Sequence, residues 1–81
     1  MSYIERISVD PRVLRGKPVV KNTRISVELI LKKMSQGASQ EDLLRSYPRL
    51  SREDILASLE YASARIANEE EMMMSDQDSD L

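Results

Sequence analysis

The stretch Ser39-Gln40-Glu41-Asp42-Leu43-Leu44-Arg45-Ser46-Tyr47-Pro48-Arg49-Leu50-Ser51-Arg52-Glu53-Asp54-Ile55 decides the fold. Twice within it a serine is followed three residues later by an aspartate. In that pattern a hydroxyl and a carboxylate satisfy the free backbone N–H groups of a helix start. Glu41 and Asp42 also place negative charge in a first turn, where the helix dipole favours it. Pro48 stops the first segment, because the residue before a proline is pushed out of helical geometry. The spacing therefore predicts a short helix over about 40–47 that turns Leu43, Leu44 and Tyr47 inward. A connection of three or four residues follows, then a longer helix over about 52–68 whose stripe is Ile55, Leu59, Ala62 and Ile66. A short helix, a tight turn and a longer helix form the layout of a helix-turn-helix, although any antiparallel helix pair with a short loop gives the same spacing.

Upstream, Val27, Ile30, Leu31 and Met34 recur at helical spacing, with Ser26 placed to cap the segment and Gly37 to end it. This predicts a first helix over about 27–36. Residues 1–26 read as a β arm. Tyr3, Ile7 and Val9 share one side of an extended stretch, turns fall at Asp10-Pro11, Arg15-Gly16-Lys17-Pro18 and Asn22, and Val19-Val20 is a second extended piece. The expected architecture is mainly α: three helices with a short N-terminal β element, either a hairpin or a strand exchanged with a second copy. The domain spans 1–68, and the acidic, low-complexity stretch 69–81 is expected to be a disordered tail.

A chain of 81 residues has room for one small core. It contains neither cysteine nor histidine, which removes disulfides and Cys/His zinc sites as sources of stability. A homodimer is expected on that ground, reinforced by the tendency of an edge strand to pair. No apolar run approaches the length of a membrane span and no signal peptide opens the chain, so a cytoplasmic location is expected.

The net charge of −2 is unevenly spread: residues 1–52 hold 11 of the 12 Lys and Arg against 5 acids, whereas residues 53–81 hold 9 acids against Arg65. A polyanion meets the local field rather than the total. Three groups of residues are therefore candidates for function. Arg49, Ser51 and Arg52, at the start of the longer helix, are candidates for reading DNA base edges. Arg15, Lys17, Lys21, Thr23 and Arg24 lie in an arm with no acid between Pro11 and Val27, and are candidates for holding phosphates. Met72, Met73 and Met74 are candidates for anchoring a partner, because methionine adapts to irregular apolar surfaces.

Catalysis lacks its parts. The usual general base and thiol nucleophile are absent, and the carboxylates fall at helix starts or in the tail, so no enzyme, cofactor or metal site is expected.

One run of residues carries a family resemblance. Asp10-Pro11, Gly16-Lys17-Pro18-Val19-Val20, Thr23-Arg24-Ile25-Ser26-Val27, Gly37-Ala38-Ser39, Glu41-Asp42-Leu43-Leu44, Tyr47-Pro48, Leu50-Ser51, Glu53-Asp54-Ile55, Leu59 and Tyr61-Ala62 together resemble the prokaryotic domain-of-unknown-function 433 family over about residues 4 to 64. The resemblance implies a homeodomain-like or winged-helix-like three-helix fold with an N-terminal β element, usually dimeric, and often assigned as an antitoxin paired with a nuclease-like toxin. The family usually has glycine before the Thr-Arg-Ile element; here it is Asn22, the non-glycine residue that best tolerates positive φ. The functional expectation is a DNA-binding antitoxin that represses its own operator DNA and neutralises a nuclease-like toxin. The alternative is a protein-interaction module of helix-turn-helix shape that does not bind DNA.

Overall fold

In the computed structural model, which describes residues 3–74, three helices pack on a two-stranded antiparallel sheet. Helix α1 spans Val27–Ser35, α2 Gln40–Ser46 and α3 Arg52–Met74. Each start is chemically closed. Ser26 Oγ accepts the Leu29 N–H, and Ser39 and Asp42 form a reciprocal capping box. Ser51 and Asp54 repeat that box: the Asp54 N–H donates to Ser51 Oγ at 3.1 Å, and the Ser51 N–H donates to Asp54 Oδ2 at 3.0 Å. Helix α1 ends at Gly37, whose φ of +102° lets the Ala38 and Gly37 N–H groups reach the Lys33 and Met34 carbonyls.

The N-terminal segment departs from the expected strand. Tyr3–Glu5 is a single 3-10 turn, and only Ile7–Ser8 (β1) is extended. β1 pairs within the same chain to Val19–Val20 (β2), with Ile7 opposite Val20 and Ser8 opposite Val19. A further antiparallel bridge joins Val19 to Ser26, so β2 sits between two extended pieces. Within one chain the hairpin alternative thus holds in a shortened form. The physical reason lies in the side chains: Ile7 belongs to the core, and the Tyr3 ring packs edge-on against Tyr61 of α3 with centroids 5.4 Å apart. Those contacts bind the segment to its own domain.

The core gathers Ile7, Val20, Val27, Ile30, Leu43, Leu50, Ile55 and Ala57. Leu50 anchors the Tyr47–Leu50 turn between α2 and α3, where the Leu50 N–H donates to the Tyr47 carbonyl. Ser58 is fully buried, and its hydroxyl donates to the Asp54 carbonyl, so it adds no unsatisfied group.

Helix α3 runs six residues past the expected end at Asn68. Residues 69–74, expected to be tail, are helical; the rest of that expectation, 75–81, lies outside the described residues. Glutamate and methionine are good helix formers, so a helix already nucleated upstream continues through Glu69-Glu70-Glu71-Met72-Met73-Met74 without needing burial.

Candidate nucleic-acid interface

The Lys21–Arg24 turn is built by its own backbone chemistry. Asn22 adopts φ +63°, the left-handed conformation expected of it. The Thr23 hydroxyl donates to the Val20 carbonyl at 2.7 Å and accepts the Ile25 N–H at 3.0 Å, closing the turn from inside. Thr23 is thus a turn builder, with its hydroxyl spent on the backbone. Lys21 and Arg24 flank it, both exposed, and neither makes an ion pair among the described residues.

Arg49 joins this turn from the α2–α3 connection. Its Nη2 donates to the Asn22 carbonyl at 3.0 Å, a contact between residues 27 apart in sequence. Two shallow depressions meet along Asn22, Thr23 and Arg49: one of about 350 Å³ that also takes in Glu5, Arg6, Lys21 and Asp54, and one of about 430 Å³ that takes in Arg24 and Tyr47. Arg6 Nη1 lies 3.1 Å from Asp54 Oδ1, so the aspartate answers a cation on one oxygen and caps α3 with the other. Its charge is therefore compensated inside the protein, and the surface around Asn22 is left cationic through Lys21, Arg24 and Arg49.

The remaining sequence candidates lie elsewhere. Lys17 is paired with Glu28 at 2.6 Å, and that ammonium holds the Glu28 carboxyl below the usual carboxylate range. Arg15 is exposed in a left-handed run, Leu14, Arg15 and Gly16 having φ of +47°, +59° and +85°. Neither Arg15 nor Lys17 lines the two depressions. Ser51 is a cap. Arg52 is half-exposed but reaches back to α2, donating to Gln40 Oε1 at 3.0 Å and Glu41 Oε2 at 3.2 Å. The Glu41 carboxyl is held below its ordinary range first by its own backbone N–H and then by Arg52. Between Arg52 and Tyr61 the exposed positions of α3 are Glu53, Leu56 and Glu60, a poor surface for a phosphate backbone. Met72, Met73 and Met74 form the last turn of α3. Of the three candidate groups, the fold thus brings together Lys21, Thr23, Arg24 and Arg49 and leaves the others apart.

Arg6 was not selected by sequence reasoning, and no local signal could have found it: its partner Asp54 is 48 residues away. Among the described residues no group of three or more acidic side chains could hold a metal ion, and no helix is long and apolar enough to cross a membrane.

Fold and surface define a small, mainly helical module with a two-stranded sheet under its cationic turn. Residues 7–62 match the family described as Protein of unknown function (DUF433), and the chain belongs to that family. Among solved structures it is similar to the crystal structure of a DUF433 member protein from Anabaena variabilis ATCC 29413, with 31% identity, a TM-score of 0.73, and coverage of 82% of this chain and 69% of that one. No curated protein matches the chain.

Proposed function

We propose that the protein is a non-enzymatic, DNA-binding regulator of the antitoxin type, which grips the phosphate backbone with the Asn22 turn. The observation that carries this reading is the gathering of Lys21, Arg24 and Arg49 around a turn whose shape is fixed by hydrogen bonds. Cations on a rigid turn lose little conformational freedom when they meet phosphates, so more of the electrostatic gain remains as affinity. Arg52, at the N-terminus of α3, is the base-reading candidate that best fits the geometry, once it releases Glu41. Two copies related by a two-fold axis would present two such surfaces to an operator. Neutralising a nuclease-like toxin would be a separate act, in which an exposed arginine such as Arg24 or Arg15 competes for the carboxylates of the nuclease centre.

Electrophoretic mobility titration on the DNA upstream of the protein's own gene, repeated across salt, tests the reading. Lys21→Ala and Arg24→Ala should each weaken binding on every sequence and lower the salt slope by about 1. Arg52→Ala should weaken the preferred sequence more than others. A second reading, a protein-interaction module without DNA activity, is favoured by the acidic and apolar exposed face Glu53, Leu56 and Glu60. Absence of retardation at low salt would decide for it.

A further inference from the structure

The apolar stripe of α3 does not stop where the domain stops. Ile55 is buried and Leu59 packs against the core, but Ile66, on the same stripe, is 54% exposed. The spacing 55, 59, 62, 66, 69, 73 alternates four and three residues, the seam of a helix that packs along another helix, apolar at every position but Glu69. Beside the stripe lies an open groove of about 770 Å³ between α1 and α3, with Val9, Pro18, Val27, Leu31, Tyr61 and Ile66 in its lining. Glu28, Lys32 and Arg65 are its charged lining; Glu28 is answered by Lys17, whereas neither Lys32 nor Arg65 makes an ion pair among the described residues. The radius of gyration, 14.6 Å, exceeds the roughly 12 Å of a compact domain of this length, because α3 projects beyond its core.

We infer that this groove receives the C-terminal half of α3 from a second copy of the chain, the two helices running antiparallel about a two-fold axis at Ile66. Charge complementarity selects that occupant. In such a pair residue 66+n of one helix faces 66−n of the other, so Glu70 lies level with Ala62 of the second copy. The exposed Glu70 thereby comes beside the groove cations Arg65 and Lys32. Within one chain Glu69 already stands one turn from Arg65 on the same helix, so the pairing that needs a second copy is that of Glu70 with Lys32 on α1. The inference deepens the two-copy part of the proposed function and is independent of whether DNA is bound.

The chain has no cysteine, so single cysteines report the geometry directly. In the full-length protein, Ile66→Cys should form a disulfide-linked dimer in near-complete yield under a mild thiol oxidant. Ala62→Cys should not cross-link to itself, since the two copies of residue 62 would sit about 12 Å apart along the axis. A mixture of Ala62→Cys and Glu70→Cys chains should cross-link. Sedimentation equilibrium should give a dimer at micromolar concentration, and Ile66→Glu should weaken it at least about thirtyfold while leaving helical circular dichroism intact. A wild-type monomer, a dimer unmoved by Ile66→Glu, or efficient self-linking of Ala62→Cys would each overturn the inference. Mobility titration of Ile66→Glu at saturating DNA separates this failure from failure of the DNA reading, because the Asn22 turn is untouched.

Discussion

The two halves of α3 obey one pattern and meet opposite fates. From Arg52 to Tyr61 the stripe is driven into the core, and Ile55, Ala57 and Ser58 are almost wholly inaccessible. From Ala62 onward the same periodicity continues, yet every residue from Ser63 to Glu70 is exposed. Periodicity alone thus does not determine burial. A stripe is an offer of apolar surface, and the length of the neighbouring elements decides how much of it is taken up inside the domain. α1 and the sheet reach the first half of α3 and end before the second.

The sharpest way to test the contrast is to truncate one residue in each half. Ile55→Ala removes a fully buried side chain and should destabilise the fold by about 2–4 kcal/mol, whereas Ile66→Ala should leave the unfolding free energy of the monomer nearly unchanged. Urea titrations of both variants at low protein concentration compare them directly, and equal losses would break the contrast.

Asp54 lies at the buried end of the helix and should come next in size. Asp54→Ala removes a carboxylate that caps α3 and answers Arg6. A loss of about 2–3 kcal/mol is expected, since charged hydrogen bonds outweigh neutral ones and Arg6 stays partly hydrated. Ser51→Ala removes only the hydroxyl half of the same box and should cost about 1 kcal/mol. Thermal unfolding followed by circular dichroism should rank the two in that order; a reversed order would mean that the Arg6 contact contributes nothing.

The smallest effect is that of acid. The Asp42 carboxyl is held below its ordinary range by the Ser39 backbone N–H and hydroxyl, and Glu28 is held down by Lys17. A carboxyl whose pKa is lower in the folded than in the unfolded chain stabilises the fold above its unfolded pKa. That contribution is lost as pH falls through the folded value. Stability should therefore be flat near neutrality and decline only below the usual carboxylate range. Asp42→Asn should flatten that acid limb slightly, and a midpoint that shifts near neutral pH instead would contradict these assignments.

Much of this contrast could be read in the residues beforehand. The Ser-x-x-Asp boxes, Pro48 and Gly37 fix four helix boundaries through contacts spanning a few residues, and the left-handed Asn22 follows from local sterics. The arm is less legible, because Tyr3 to Val9 alternates like a strand while the partners that bend it, Tyr61 and the α3 surface, are distant in sequence. The end of α3 was hidden for another reason. Its acidic, low-complexity composition argues against burial, but intrinsic helix propensity carries the helix on through Met74. In the candidate site, Lys21, Thr23 and Arg24 were legible as a turn. Their union with Arg49 was not, since a side chain reaching a carbonyl 27 residues away leaves no trace in spacing.

That reach from Arg49 to Asn22 makes the gap between two loops a matter of one side chain's length rather than of the polypeptide joining them. A guanidinium carries five N–H donors, and this clasp occupies one of them. An oxyanion can thus be held by the others with the clasp still shut, so that grip and rigidity increase together.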